Sequence, residues 1–329
     1  MYMVSLLSIL PFTAPACGSA QGGGEAPEAP KVYFVRDITP ENMVRLYEAL
    51  ERPATGKVAV KLSTGEPGGH NFLKPELIKD LVQKVDDTIV ECNTAYGGGR
   101  ASTENHLKAA ADHGFTAIAP VDIMDAEGEV SLPVKGGRHL RENFVGSHYP
   151  AYDFTVVLSH FKGHAMGSFG GKTTGEHGFG GAVKNISIGI ASSAGKAWIH
   201  SAGKTKNAAQ MWGNLPAQDD FLESMAEAAK SVADHCGEKI LYINVMNNLS
   251  VDCDCDAHPE DPKMGDIGIL ASTDPVALDK ACVDLVYASP DPGKVHLIER
   301  MESRHGIHTL EHGEAIGLGS QQYELVELE

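Results

Sequence analysis

Residues 154–190 read FTVVLSHFKGHAMGSFGGKTTGEHGFGGAVKNISIGI. The apolar, β-branched run 154–158 is bounded by polar residues and predicts a buried strand. Directly after it come Ser159, His160, Phe161, Lys162, Gly163 and His164, and eight glycines fall between Gly167 and Gly189. Packing alone asks for no such concentration of His, Lys and Gly at a strand end. In α/β sheets, ligands sit at the carboxyl ends of strands, where glycine lets backbone approach closely. This stretch is therefore expected to hold the site.

The flanking sequence sets the fold class. Upstream, 31–35 (KVYFV), 57–62 (KVAVKL), 88–92 (TIVEC) and 117–121 read as strands, and 39–50, 75–85 and 103–113 as helices. Polar or glycine-rich loops, 63–70 and 93–100, follow two of those strands. Residues 123–152 read as a hairpin or excursion and 201–218 as a loop. Downstream, 219–236 has the apolar spacing of a long helix, 239–245 and 266–271 are strands, and Asp274-Pro275 opens a helix through 287. Helices over 293–304 and 311–318 and a strand over 323–328 close the chain. The alternation predicts an α/β fold with a mostly parallel, doubly wound sheet and helices on both faces. Residues 31–329 are expected to form this unit, with room for two lobes meeting around 154–200.

Composition narrows the partners. With 27 Lys and Arg against 44 Asp and Glu, the net charge is −17, which repels phosphate backbones and disfavours nucleic acid. Residues 1–12 are apolar, and Thr13-Ala14-Pro15-Ala16-Cys17 is followed by a Gly/Pro-rich tether to residue 30. That order predicts a lipoprotein signal with Cys17 acylated: an exported protein, periplasmic or anchored to the membrane through Cys17 only. The apolar run is too short to span a bilayer, and no Lys or Arg precedes it.

Five cysteines remain: Cys92, Cys236, Cys253, Cys255 and Cys282. An odd number cannot all form disulfides within the chain. Asp252-Cys253-Asp254-Cys255-Asp256 places two thiols one residue apart in a strand-end loop, suited to one metal or cluster, or to a strained disulfide. Flanking carboxylates should raise the thiol pKa values unless a cation is present, which favours a bound cation. Cys282 is a further candidate ligand, although a Cys in an apolar helix is more often core. His160 and His164 are candidate ligands or acid–base groups, with His177 weaker. Lys184 is a candidate base or anion holder, and Gly180, Gly181, Asn185 and Lys196 are candidate cofactor contacts. No Walker motif, helix-opening G-x-G-x-x-G or serine elbow is present.

The segments 91–115, VVLSHFKGH (156–164), GFGGAVKNISIG (178–189), SSAGKAWIH (192–200), LYINVMNNLSVDCDC (241–255) and 266–286 resemble the domain-of-unknown-function 362 family. That family is often described as Fe–S centre proteins. The resemblance runs from about residue 31 to the C-terminus and implies an iron–sulfur cluster or other transition metal. Many members carry a cysteine-rich, ferredoxin-like insert after the GK…H motif, where this chain has SAGKTKNAAQMWGNLPAQ (201–218) and no Cys. The chain also has extra residues, roughly 168–177, inside the glycine loop. The order His, glycine turn, Gly-Gly-x-x-Lys is similar to lactate racemase, where that Lys bears a nickel-pincer cofactor and His residues handle the proton.

Three functions are thus expected in order. The first is an oxidoreductase-type enzyme with a metal or Fe–S centre acting on a small molecule. The second is a cofactor-dependent isomerase or racemase, and the third a non-catalytic metal- or ligand-binding lipoprotein.

Overall fold

The computed structural model describes residues 28–164 and 178–329. The apolar start, Cys17 and most of the tether, and the loop containing His177, lie outside the described residues. In chain order the strands are β1 Lys31–Val35, β2 Val58–Lys61, β3 Thr88–Glu91, β4 Val121–Ile123, β5 Glu129–Pro133, β6 Glu142–Gly146, β7 Phe154–His160, β8 Lys162–His164, β9 Gly178–Gly180, β10 Ile240–Met246, β11 Gly268–Ser272 and β12 Glu324–Glu327. The helices are α1 Pro40–Ala49, α2 Pro75–Val85, α3 Thr103–Asp112, α4 Ala182–Ser187, α5 Ser193–His200, α6 Ala208–Met211, α7 Gln218–Cys236, α8 Pro275–Ala288, α9 Lys294–Ser303 and α10 His308–Ala315.

Eight strands form one sheet in the order β12-β1-β11-β10-β7-β2-β3-β4. The run β10-β7-β2-β3-β4 is parallel throughout, β12 is parallel to β1, and β11 runs antiparallel to both its neighbours. The fold is α/β, with helices on both faces of a mostly parallel sheet. Period-two alternation divides the side chains: Val58, Val60, Leu62, Val156, Leu158, Leu241, Ile243 and Val245 pack with α1, α2 and Phe115. Ala59, Val90, Val157 and Tyr242 face the other way, onto residues of α4, α7 and α8. Such strands are buried on both faces because crossover helices cover each side.

Local chemistry explains the helix starts. Thr39 Oγ1 accepts from Asn42 N, and Asp274 accepts from Val276 N and Ala277 N, each followed by a proline at the first helical position. The expected strand at 117–121 is shifted. Gly114 turns the chain at φ 90°, Phe115–Ala117 forms a 3₁₀ turn, and pairing begins only at Val121. Residues 201–218 contain the short helix α6, capped by Asn207, and the helix expected at 311–318 begins earlier, at His308. No helix among the described residues is long and apolar enough to cross a membrane.

Because β2, β3, β7 and β10 are parallel, their carboxyl ends lie along one edge of the sheet. That edge gathers the loops starting at 62, 92, 161 and 247.

Candidate metal centre

The geometry begins where β7 ends. His160 closes β7, and Lys162–His164 form β8, paired antiparallel with β9. Neither histidine lies on a helix. Gly163 lets β8 pass the loop after β10: a Cβ there would come within 2.6 Å of Val251 Cα. Gly163 N donates to Ser250 O at 2.8 Å across the same contact.

The loop after β10 is tied down through its central carboxylate. Asp254 meets His160 Nδ1 at 2.9 Å and Lys162 Nζ at 2.5 Å, and His160 Nε2 meets Asn247 O at 2.6 Å. Burial opposes ionisation of Asp254, but the charges of Lys162 and His160 draw its pKa down to about 2. Both ring nitrogens of His160 thus face acceptors within the protein, and its role in this arrangement is to position Asp254.

With Asp254 held, its neighbours meet His164. One ligand atom each from His164, Cys253 and Cys255 lies within 4.8 Å of the others, and His164 and Cys253 are buried. The two thiols are not joined; Cys92, Cys236 and Cys282 are also free. Cys253 is held well below the usual thiol range by the Cys255 hydrogen bond against the cost of burial, with help from Lys184 and His164. Cys255 is correspondingly pushed up by sharing that proton with Cys253. The carboxylate expected to discourage thiolates is paired with Lys162 and His160, and the cation nearest Cys253 is Lys184. Burial drives the His164 imidazole towards its neutral form, the form that ligates metals.

Lys184, on α4, places Nζ 3.7 Å from Cys253 Sγ. Burial works against its ammonium, but Cys253, Cys255 and Asp254 raise its pKa, so Lys184 stands as a cation at the thiols. The start of α4 is closed by protein: Asp279 accepts from Ala182 N at 2.7 Å and Val183 N at 2.9 Å. Gly181 makes room for that carboxylate, whose Cγ would be 2.7 Å from a Cβ there. Gly180 ends β9. Asn185 is fully engaged, its amide donating to Lys61 O, Leu158 O and Ser159 Oγ while its carbonyl accepts from Lys61 Nζ at 3.0 Å. Lys196 is buried and donates to Ala191 O at 2.6 Å. Cys282 stays in the core of α8, where Asn244 donates to its sulfur and burial pushes the thiol up. It does not join the Cys253–Cys255 group.

Charged side chains brace the site from β2 and β3. Arg100 is buried between Glu66, at 3.1 Å, and Glu91, at 3.4 Å. Burial alone would raise Glu91, yet His106 and Arg100 hold it well below the carboxylate range. Lys61 lies fully buried in β2, and desolvation lowers its pKa to about 8. His200, at the end of α5, donates Nδ1–H to Lys196 O at 2.6 Å, and burial lowers its pKa to about 4. Glu66, Glu91, Arg100, Lys61 and His200 were not singled out from sequence, and Asp254 only as a carboxylate flanking the thiols. Lys61 and Glu91 did leave a trace, as charged residues ending otherwise apolar strands.

A cavity of about 420 Å³ lies apart from the thiols, behind β9, lined by Phe179, Val283, Tyr287 and Met301 among others. Its apolar wall carries no thiol.

Residues 58–284, well over half of the chain, match the family described as domain of unknown function (DUF362). No curated protein sequence matches the chain significantly. Among solved structures, the lactate racemase apoprotein from Thermoanaerobacterium thermosaccharolyticum aligns at 15% identity and a TM-score of 0.43, covering 77% of this chain and 57% of that one. The chain thus spans little more than half the length of that structure. A likeness at this level transfers neither substrate nor cofactor.

Proposed function

Since the chain belongs to the domain of unknown function 362 family, whose name assigns no chemistry, we propose a function from the site itself: a metal-dependent enzyme for a small anionic substrate. The observation that carries the reading is the convergence of His164, Cys253 and Cys255 within 4.8 Å. Two sulfurs and one imidazole suit a borderline-to-soft transition ion, and three protein ligands leave a position for substrate or water. Iron–sulfur clusters take four protein ligands; among the described residues three converge here, His164, Cys253 and Cys255, which favours a single ion.

When bound, the ion would supply Lewis-acid or redox chemistry at its open position. The chain's own residues have separate tasks. Asp254, clamped by His160 and Lys162, fixes the direction of both thiols. Cys253, Cys255 and His164 would hold the ion, the thiols giving up their shared proton to water, and Lys184, 3.7 Å from Cys253 Sγ, would supply a cation for a substrate carboxylate. An oxidoreductase on a small carboxylate fits this arrangement; the proposal of export through an acylated Cys17 rests on the order of residues 1–30 alone.

Purification without oxygen, with metal and sulfide analysis of wild type and Cys253→Ser/Cys255→Ser, tests it. One metal equivalent more in the wild type than in the double variant is expected. Equal, substoichiometric metal in both proteins would refute the reading.

A second reading rests on the two histidines. Burial lowers the pKa of both His164 and His200, and the charge of Lys184 acts in the same direction on each. A pair of bases suits proton removal and return at a carbon next to a carboxylate, as in an isomerase or racemase of 2-hydroxy acids. Deuterium incorporation from D₂O into such acids without net oxidation would select it. Oxidation without exchange would select the first.

A further inference from the structure

We propose that the beginning of α7 and the loop between β5 and β6 form a second metal site, for a zinc-like divalent ion, independent of the thiols. Asp220 and Glu223 lie three residues apart on α7, so they share one face of the helix. His139, from the β5–β6 loop, places Nε2 2.6 Å from Glu223 Oε2 and 3.8 Å from Asp220 Oδ1. One ligand atom from each of the three lies within 4.8 Å of the others. An imidazole with two carboxylates is a donor set for zinc, manganese or ferrous iron, and it leaves room for water or a further ligand.

The surroundings are those of a prepared site. His308, from α10, meets the other Glu223 oxygen at 3.1 Å, the kind of outer hydrogen bond that orients a ligating carboxylate. Glu227, one turn further along α7 and fully buried, accepts from the backbone N–H groups of His139 at 3.0 Å and Leu140 at 2.7 Å. That buried carboxylate fixes the loop from which His139 reaches Glu223. A hydrogen-bonded pair at the surface would not require it. Access remains open, since the Asp220 side chain is 42% exposed.

One contact competes. Arg138 Nη1 lies 3.2 Å from Glu223 Oε2, but its side chain is 70% exposed and can leave towards solvent when a cation arrives. Once bound, the ion joins α7 to the β5–β6 loop and, through His308, to α10. These segments are otherwise remote in sequence.

The test uses the full chain carrying Cys253→Ser/Cys255→Ser, stripped with a chelator and titrated with zinc chloride by calorimetry at neutral pH. In that background the answer does not depend on the thiol site. Saturable uptake of one zinc is expected, with a rise in thermal midpoint of roughly 3–5 °C at about a hundred times Kd. His139→Gln and Asp220→Asn, added singly, should each weaken uptake by about tenfold or more, with each variant's zinc-induced shift read against its own metal-free midpoint. Absence of uptake in the thiol-free chain overturns the proposal, as does uptake that neither substitution weakens.

Discussion

Lys184 Nζ lies 3.7 Å from Cys253 Sγ, an ammonium set against a thiol that shares its proton with Cys255. An opposite charge at this distance shifts a buried group by about one pKa unit or more. Lys184→Met should therefore raise the pH midpoint for alkylation of Cys253 by iodoacetamide in metal-free protein by about one unit, whereas Lys184→Arg should leave it near the wild-type position. A profile unchanged in the methionine variant would remove Lys184 from the account of thiol acidity.

The Asp254–Lys162 pair is almost wholly enclosed, with side chains 1% and 6% exposed. Removing one partner of a buried pair strands the other charge, at a cost of about 3–5 kcal/mol. Asp254→Ala should lose stability on that scale in urea unfolding, and adding Lys162→Met should recover much of the loss. Additive losses in the double variant would show that the two charges do not depend on each other.

Gly163 allows β8 to cross the loop that carries the cysteines, and an added Cβ would meet Val251 backbone. Gly163→Ala should displace His164 from Cys253 and Cys255. Zinc affinity of the thiol site is expected to fall about tenfold or more, with a smaller change in stability, because the strain is confined to a short hairpin. Competition with a chromogenic chelator reads this directly, and an unchanged affinity would show that His164 is not a ligand.

Burial raises the Asp279 carboxyl to about 6, against the N–H groups of Val183, Asn244 and Ala182 that favour its anion. The folded chain therefore keeps a proton that the unfolded chain loses near pH 4. Stability from this group is greatest below that value and declines as pH rises through 6, by on the order of 2–3 kcal/mol. Asp279→Asn should flatten that limb of the stability–pH curve measured by urea unfolding at pH 4 to 6.5. A limb that keeps its slope in the variant would assign it to other groups.

The sheet was readable because its strands are apolar on both faces and separated by capped helices, as at Thr39-Pro40 and Asp274-Pro275. The thiol pair and His164 were readable for a different reason, since unusual residues at strand ends have no packing role. The direction of Asp254 was not. Its carboxylate sits between two cysteines in sequence, yet it points to Lys162, ninety-two positions away. The engagement of Asn185 with β2 and the buried Arg100 also depend on long-range pairing. Strand order decides which loops become neighbours, and local pattern does not carry strand order.

The braces of the site come from distant parts of the chain: Glu66 and Glu91 for Arg100, and Asp254 for Lys162. During synthesis, residues up to His164 can pair as strands well before residue 254 leaves the ribosome. In that interval Lys162 has no counter-charge, and packing β7 and β8 fully would mean burying a bare ammonium. The buried pair that braces the cysteine loop is thus expected to delay full packing of β7 and β8 until residue 254 is available.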